Sequence, residues 1–214
     1  MTDFPLLQRS WARAWAASVG SGAGHALRDQ VLAAYAEPQR HYHTQQHLAE
    51  VLALCEATQT LAQDAAAVEL AVWFHDAVYN PRASDNELRS AHWAQQALAA
   101  AGAAPALQRQ VFDLVMATQH HAVPTQADAQ WLVDMDLAIL GAAWDRFAQY
   151  EHQVREEYAW VPDAVFWPRR QALLQGFLER PCIYQTEVFR VRFEEQARSN
   201  LARSAAAAPR RPGL

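Results

Sequence analysis

The chain has 214 residues, enough to bury one core, with 51% hydrophobic and 19% charged residues and a formal net charge of −5. That acidic balance argues against a general nucleic-acid binder, which carries a basic excess, and because all 18 basic residues are arginine there is no lysine for a Schiff base or a P-loop. The two cysteines, Cys55 and Cys182, form no CxxC pair, and no apolar stretch approaches the roughly 18 residues of a membrane span.

Phe4, Leu7, Trp11 and Trp15 recur at three- and four-residue spacing, predicting an amphipathic first helix that Gly20 to Gly24 breaks. Leu27, Val31, Leu32 and Tyr35 mark a second, stopped at Glu37-Pro38. Thr44 is placed to cap a third, which carries His47, Leu48, Val51, Leu52 and Cys55. Asp64 is placed to cap a fourth, running through Val68, Ala71 and Val72 to His75-Asp76 before the Asn80-Pro81 loop. Ser84 with Glu87 fits a capping box for a fifth helix that ends near Gly102.

A sixth helix is expected from about Pro105 to His120, a seventh from Asp128 to Leu140 and an eighth from Trp144 to Tyr158. Pro168 to Arg180 reads as a separate helix with proline at its first position, and Thr186 as the cap of a last one to Arg203. With no period-two strands, the expected fold is all-α: one domain of nine or ten helices over residues 1–203, its candidate site within 40–140 and its C-terminal helices within 143–203. Residues 204–214 read as a disordered tail. The N-terminus has no basic region followed by an apolar run, so a cytoplasmic setting is expected.

Nine histidines are unevenly placed: His41, His43 and His47 lie within seven residues, His75 abuts Asp76, and His120 abuts His121. Imidazole with carboxylate suits borderline divalent ions. His75 and Asp76, as neighbours, diverge by about 100° on a helix and converge on one ion only at its end, where the following loop puts them. Asp136 lies among apolar neighbours, so a buried carboxylate there needs a partner. A lone histidine at a helix end is usually a cap or a surface residue; the clustering across four helices is what points to a site.

The ordered set His47, His75-Asp76, Asp136 resembles the signature of the HD superfamily of metal-dependent phosphohydrolases. More narrowly, the chain resembles a bacterial group of HD-domain proteins identified as metal-dependent phosphohydrolases. Segments that carry the resemblance include Arg40 to His47, Trp73 to Tyr79, Asn86 to Ala91, Ala117 to His121, Asp134 to Gly141 and Glu195 to Leu201. It implies an HD-type helical domain in which His47, His75, Asp76 and Asp136 hold a divalent ion (Mn, Mg, Fe, Co, Ni or Zn), with Asp136 preferred to Asp134. Binuclear relatives add a histidine where this chain has Asn86-Glu87, and a His-His pair that His120-His121 resembles. Glu87 reads as a ligand, a base or the capping residue.

The implied activity is hydrolysis of a small phosphoester or nucleotide by metal-activated water. Asp76, Glu87, His120 and Arg40 are the expected catalytic groups, and His43, His121 and Arg155 the substrate-binding ones. Without lysine, charge on phosphoryl oxygens falls to arginine: Arg40 first, then Arg155, Arg169, Arg170 and Arg198, each of which has a surface or ion-pair alternative. Competing readings are a di-iron oxygenase of HD fold and a catalytically silent metal- or nucleotide-binding protein. A small phosphorylated partner is expected, with no membrane and no general nucleic-acid binding; a homodimer is compatible.

Overall fold

The structure, a computed structural model, describes residues 4–20, 22, 24–119 and 123–206. Among them lie ten α-helices and no strand. They fall into two compact units divided between Asp136 and Leu137. Among the described residues, no helix is long and apolar enough to cross a membrane.

The first unit holds α1 (Phe4–Ser18), α2 (His25–Ala34), α3 (Gln45–Thr58), α4 (Ala65–Phe74), α5 (Asn86–Ala100), α6 (Pro105–Met116) and α7 (Ala127–Asp136). Its centre is α4, which is buried from Ala67 to Phe74 and packs on α1, α5, α6 and α7. Such continuous burial explains why α4 shows almost no polar face. Glu69 is the exception, and Arg13 of α1 forks onto its carboxylate, as a buried charge requires. Trp73 donates its ring N–H to Ser10, and Trp131 of α7 donates to Thr58 of α3. Each large ring is thus pinned at its polar end.

Two expected caps are present. Thr44 accepts the N–H of Gln46, and Asp64 accepts that of Ala67. The Ser84/Glu87 capping box does not form: α5 begins at Asn86 with Asp85 as its cap residue, and no side chain caps it. Asn86 sets that start, because its side-chain amide both accepts from and donates to the backbone of Asn80. The sixth helix stops at Met116 rather than near His120, where Thr118 turns its hydroxyl onto the Val115 carbonyl.

Arg9 and Arg13 hold the Glu56 carboxyl down at about 2, from an ordinary 4.5. A depressed carboxyl contributes stability that is complete above its unfolded pKa and is lost as pH falls through the folded value. Because Arg9 and Glu56 keep 49% and 31% of their side-chain surface, screening limits this to about 1 kcal/mol. Urea unfolding should therefore show Glu56→Gln less stable than wild type at pH 6, with the difference vanishing as pH drops from 4.5 towards 2. A difference that persists at pH 2 would contradict the assignment.

The second unit holds a 3-10 segment (Leu137–Gly141), α8 (Trp144–Glu157), α9 (Asp163–Leu178) and α10 (Glu187–Ala206). The sequence predicts one helix through Leu140, but α7 ends at Asp136 and the chain tightens into the 3-10 segment. The reason is tertiary: Tyr184 donates to the Leu137 carbonyl, and Asn200 of α10 to those of Leu140 and Ala142. Pro168 does not open a helix either. α9 starts at Asp163 behind Pro162, so Pro168 lies inside it and forgoes one backbone hydrogen bond. Residues 204–206 continue α10, and 207–214 lie outside the described residues.

Gly141 is required by close approach. A Cβ there would stand 2.7 Å from both Cβ and the carbonyl oxygen of Phe193, neither of which can swing aside. Gly141→Ala should cost about 2 kcal/mol in thermal or urea unfolding. An unchanged midpoint would show that α10 shifts freely.

Candidate metal centre

Three elements of the first unit deliver the cluster. Thr44 fixes the start of α3, so His47 falls in its first turn. His75 caps the C-terminal end of α4, with Asp76 next in the chain. Asp136 is the last residue of α7. α4 and α7 share an origin, because the Asp128 carboxylate accepts the N–H groups of Gln63 at 2.7 Å and Asp64 at 3.0 Å. From there α7 runs roughly 12 Å to Asp136 and α4 roughly 16 Å to His75, at 1.5 Å per residue.

The side chains converge. The two Nε2 atoms of His47 and His75 are 3.1 Å apart. Asp76 Oδ2 lies 3.0 Å from His75 Nε2 and 3.4 Å from His47 Nε2. Asp136 Oδ1 lies 3.3 Å from His47 Nε2 and 3.6 Å from His75 Nε2. Among the described residues, His47, His75 and Asp136 could hold a metal ion, with one ligand atom from each lying within 4.8 Å of the others. Asp76 presses on the same ring nitrogens. The imidazoles are 2% exposed, while Asp76 and Asp136 keep 17% and 13% of their side-chain surface, so the cluster meets solvent through its carboxylates.

The tautomer of His75 tests the fit to a cation. Its Nδ1 is 2.7 Å from the Val72 carbonyl oxygen, which can only accept, so Nδ1 carries the proton. Nε2 is then the edge that meets another imidazole nitrogen and two carboxylates, as a lone pair when the ring is neutral and as an N–H when it is protonated. Such a set coheres only around positive charge. The acid–base directions agree. Burial opposes the charged form of both rings, yet Asp136 and Asp76 raise His47 above its ordinary pKa, and Asp76, with Tyr35 and Asp136, raises His75 well above. Burial opposes ionisation of Asp76 and Asp136 too, yet the histidines hold both carboxyls well down. The 3.1 Å between ring nitrogens is short enough for both to reach one ion at about 2.0–2.1 Å.

Behind the cluster lies a support that the sequence did not reveal. Tyr35, which caps the C-terminal end of α2, accepts the Asp76 N–H at 3.2 Å. Arg40 donates to the carbonyl oxygens of Asp76 at 2.6 Å, Ala77 at 3.0 Å and His43 at 3.2 Å, and its Nε donates to Glu37 at 3.0 Å. Arg40, expected to face a phosphoryl group, instead has a fully buried side chain committed to the main chain. A tyrosine placed on an apolar stripe just before a Pro-marked stop was the available signal for Tyr35.

The remaining expected residues fall in several places. His43 is half-buried beside the cluster, stacked on Tyr79 at 4.0 Å between centroids and edge-on to His47. Glu87 is half-buried in the first turn of α5 and is not part of the three-residue group. Asp134 is buried and also outside that group. His120 and His121 lie outside the described residues.

Arg155 belongs to the second unit, where it donates to Asp163 and to the Tyr158 and Val161 carbonyls, closing the turn between α8 and α9. Arg170 pairs with Glu151, Arg198 pairs with Glu194, and Arg169 is exposed. Comparison with protein-family models, curated proteins and solved structures finds no match.

Proposed function

We propose that the chain is a metal-dependent phosphohydrolase of HD type, which hydrolyses a small phosphoester or nucleotide. His47, His75, Asp76 and Asp136 would hold one divalent ion, of the class Mn, Mg, Fe, Co, Ni or Zn. The observation that carries the reading is the convergence of two imidazole Nε2 atoms and two carboxylates, with His75 Nδ1–H turned onto Val72 so that its Nε2 faces the others. A bound divalent ion supplies Lewis acidity that lowers the pKa of water and polarises a phosphoryl oxygen.

The chain's own residues do the rest. Asp76 keeps part of its carboxylate at the surface while Tyr35 and Arg40 fix its main chain on both sides, so it can orient a water by accepting a hydrogen bond from it. His43 stands beside the ligands and can donate a ring N–H to a phosphoryl oxygen. Arg40 acts through Asp76 and His43 as a positioning residue.

The test is a screen of nucleotides and phosphomonoesters with Mn, Mg, Co, Ni, Zn or Fe(II) supplied to the full chain. The reading expects release of phosphate or of a phosphorylated fragment that chelator stops and metal restores. Metal-independent release that survives Asp136→Asn would contradict it.

A further inference from the structure

A second concavity lies in the first unit, where the end of α2, the segment after Asp76 and the outer face of α5 meet. It measures about 450 Å³, within the range of small-molecule sites. None of the four expected ligands lines it; its walls include Glu37, Gln39, Tyr79, Asn80, Arg89 and Trp93.

Three features give it chemical character. First, the Arg89 guanidinium has no hydrogen-bond or ion-pair partner among the described residues, unlike Arg9, Arg13, Arg40, Arg155, Arg170 and Arg198. Second, Arg89 and Trp93 are four residues apart on α5, so they share a helix face with the cation one turn from the indole. Trp93 is only half-buried, with its ring braced edge-on by Phe74 at 5.8 Å. Third, the one carboxylate in the wall is already paired, because Glu37 accepts from Arg40 and Gln39. A planar group laid on Trp93 would carry its charge towards Arg89.

We propose that this cavity binds a planar aromatic group bearing an anionic substituent, such as a nucleoside phosphate or an aryl carboxylate. Stacking on Trp93 takes the ring, and Arg89 takes the anion by a charge-assisted hydrogen bond. The site does not depend on the metal reading, and its floor is the Ala77–Asn80 segment that directly follows Asp76.

Calorimetric titration of the full chain in excess chelator tests it, since chelation removes metal-borne affinity for phosphate. The probes are adenosine monophosphate with adenosine, indole-3-carboxylate with indole, and inorganic phosphate. At least one of the two anions should bind with a Kd of about 1 mM or tighter, and which of them does identifies the anion source. Its neutral parent and inorganic phosphate should each bind at least about tenfold more weakly, and Arg89→Gln should weaken the anion by about tenfold. His75→Ala should leave the Kd unchanged. Absence of binding by both anions, equal binding of the neutral parent or of phosphate, indifference to Arg89→Gln, or loss in His75→Ala each overturns the proposal. Failure of the metal reading would leave these titrations untouched.

Discussion

On the proposed reading, His75→Ala should abolish metal binding and phosphoester turnover together. His75 is 2% exposed, its ring is oriented by the Val72 carbonyl, and its Nε2 is within 3.6 Å of all three other expected ligands. Metal content measured after purification in excess metal should fall to about a tenth of wild type or less, since even outer partners of metal ligands are worth 10–100-fold in affinity. Ligand binding stabilises a fold by RT ln(1 + [L]/Kd), about 2.7 kcal/mol at a hundredfold excess over Kd. Chelator should therefore lower the unfolding midpoint of wild type and leave that of His75→Ala unmoved. If both proteins respond alike to chelator, His75 is not a ligand.

The second large effect is expected at Arg40, which touches no ligand atom. Replacing it with methionine keeps much of the volume and removes the donors that satisfy the Asp76, Ala77 and His43 carbonyls. Leaving three buried or part-buried carbonyls without their donor costs about 3 kcal/mol, which corresponds to a midpoint lowered by about 10 °C in a chain of this size. Arg40→Lys should recover little, because an ammonium has no planar fork to reach three carbonyls at once. A merely structural loss would spare metal affinity in the folded fraction. The clamp on Asp76 predicts instead that affinity falls about tenfold, measured on folded protein well below its midpoint. Wild-type metal affinity in Arg40→Met would remove Arg40 from the account.

The elements that the sequence disclosed were those decided locally. Thr44 and Asp64 announce helix starts through the hydrogen bonds they make, and His75-Asp76 at a helix end follows from the Asn80-Pro81 loop beyond it. That His47, His75 and Asp136 come together was foreseen from the uneven placing of the histidines and from the family resemblance, not from any one local signal. What was hidden was decided across the fold. Whether Arg40 faces a substrate or three carbonyls depends on a chain segment nearly forty residues away.

The end of α7 depends on Tyr184 and Asn200, and no local signal in Leu137–Gly141 foretells it. The Ser84/Glu87 motif failed because Asn86 bonds back to Asn80 and moves the helix start by one residue. Glu69, alone in an otherwise apolar α4, did carry a legible signal that a buried cation must reach it.

Anomalous X-ray scattering from crystals grown with Mn(II) or Co(II) tests the central claim most directly. The account predicts a peak within about 2.0–2.3 Å of His47 Nε2 and His75 Nε2 and bonded to a carboxylate oxygen of Asp76 and of Asp136. A protein loaded with metal whose peak lies elsewhere, with His47 and His75 left hydrogen-bonded to each other, would contradict it.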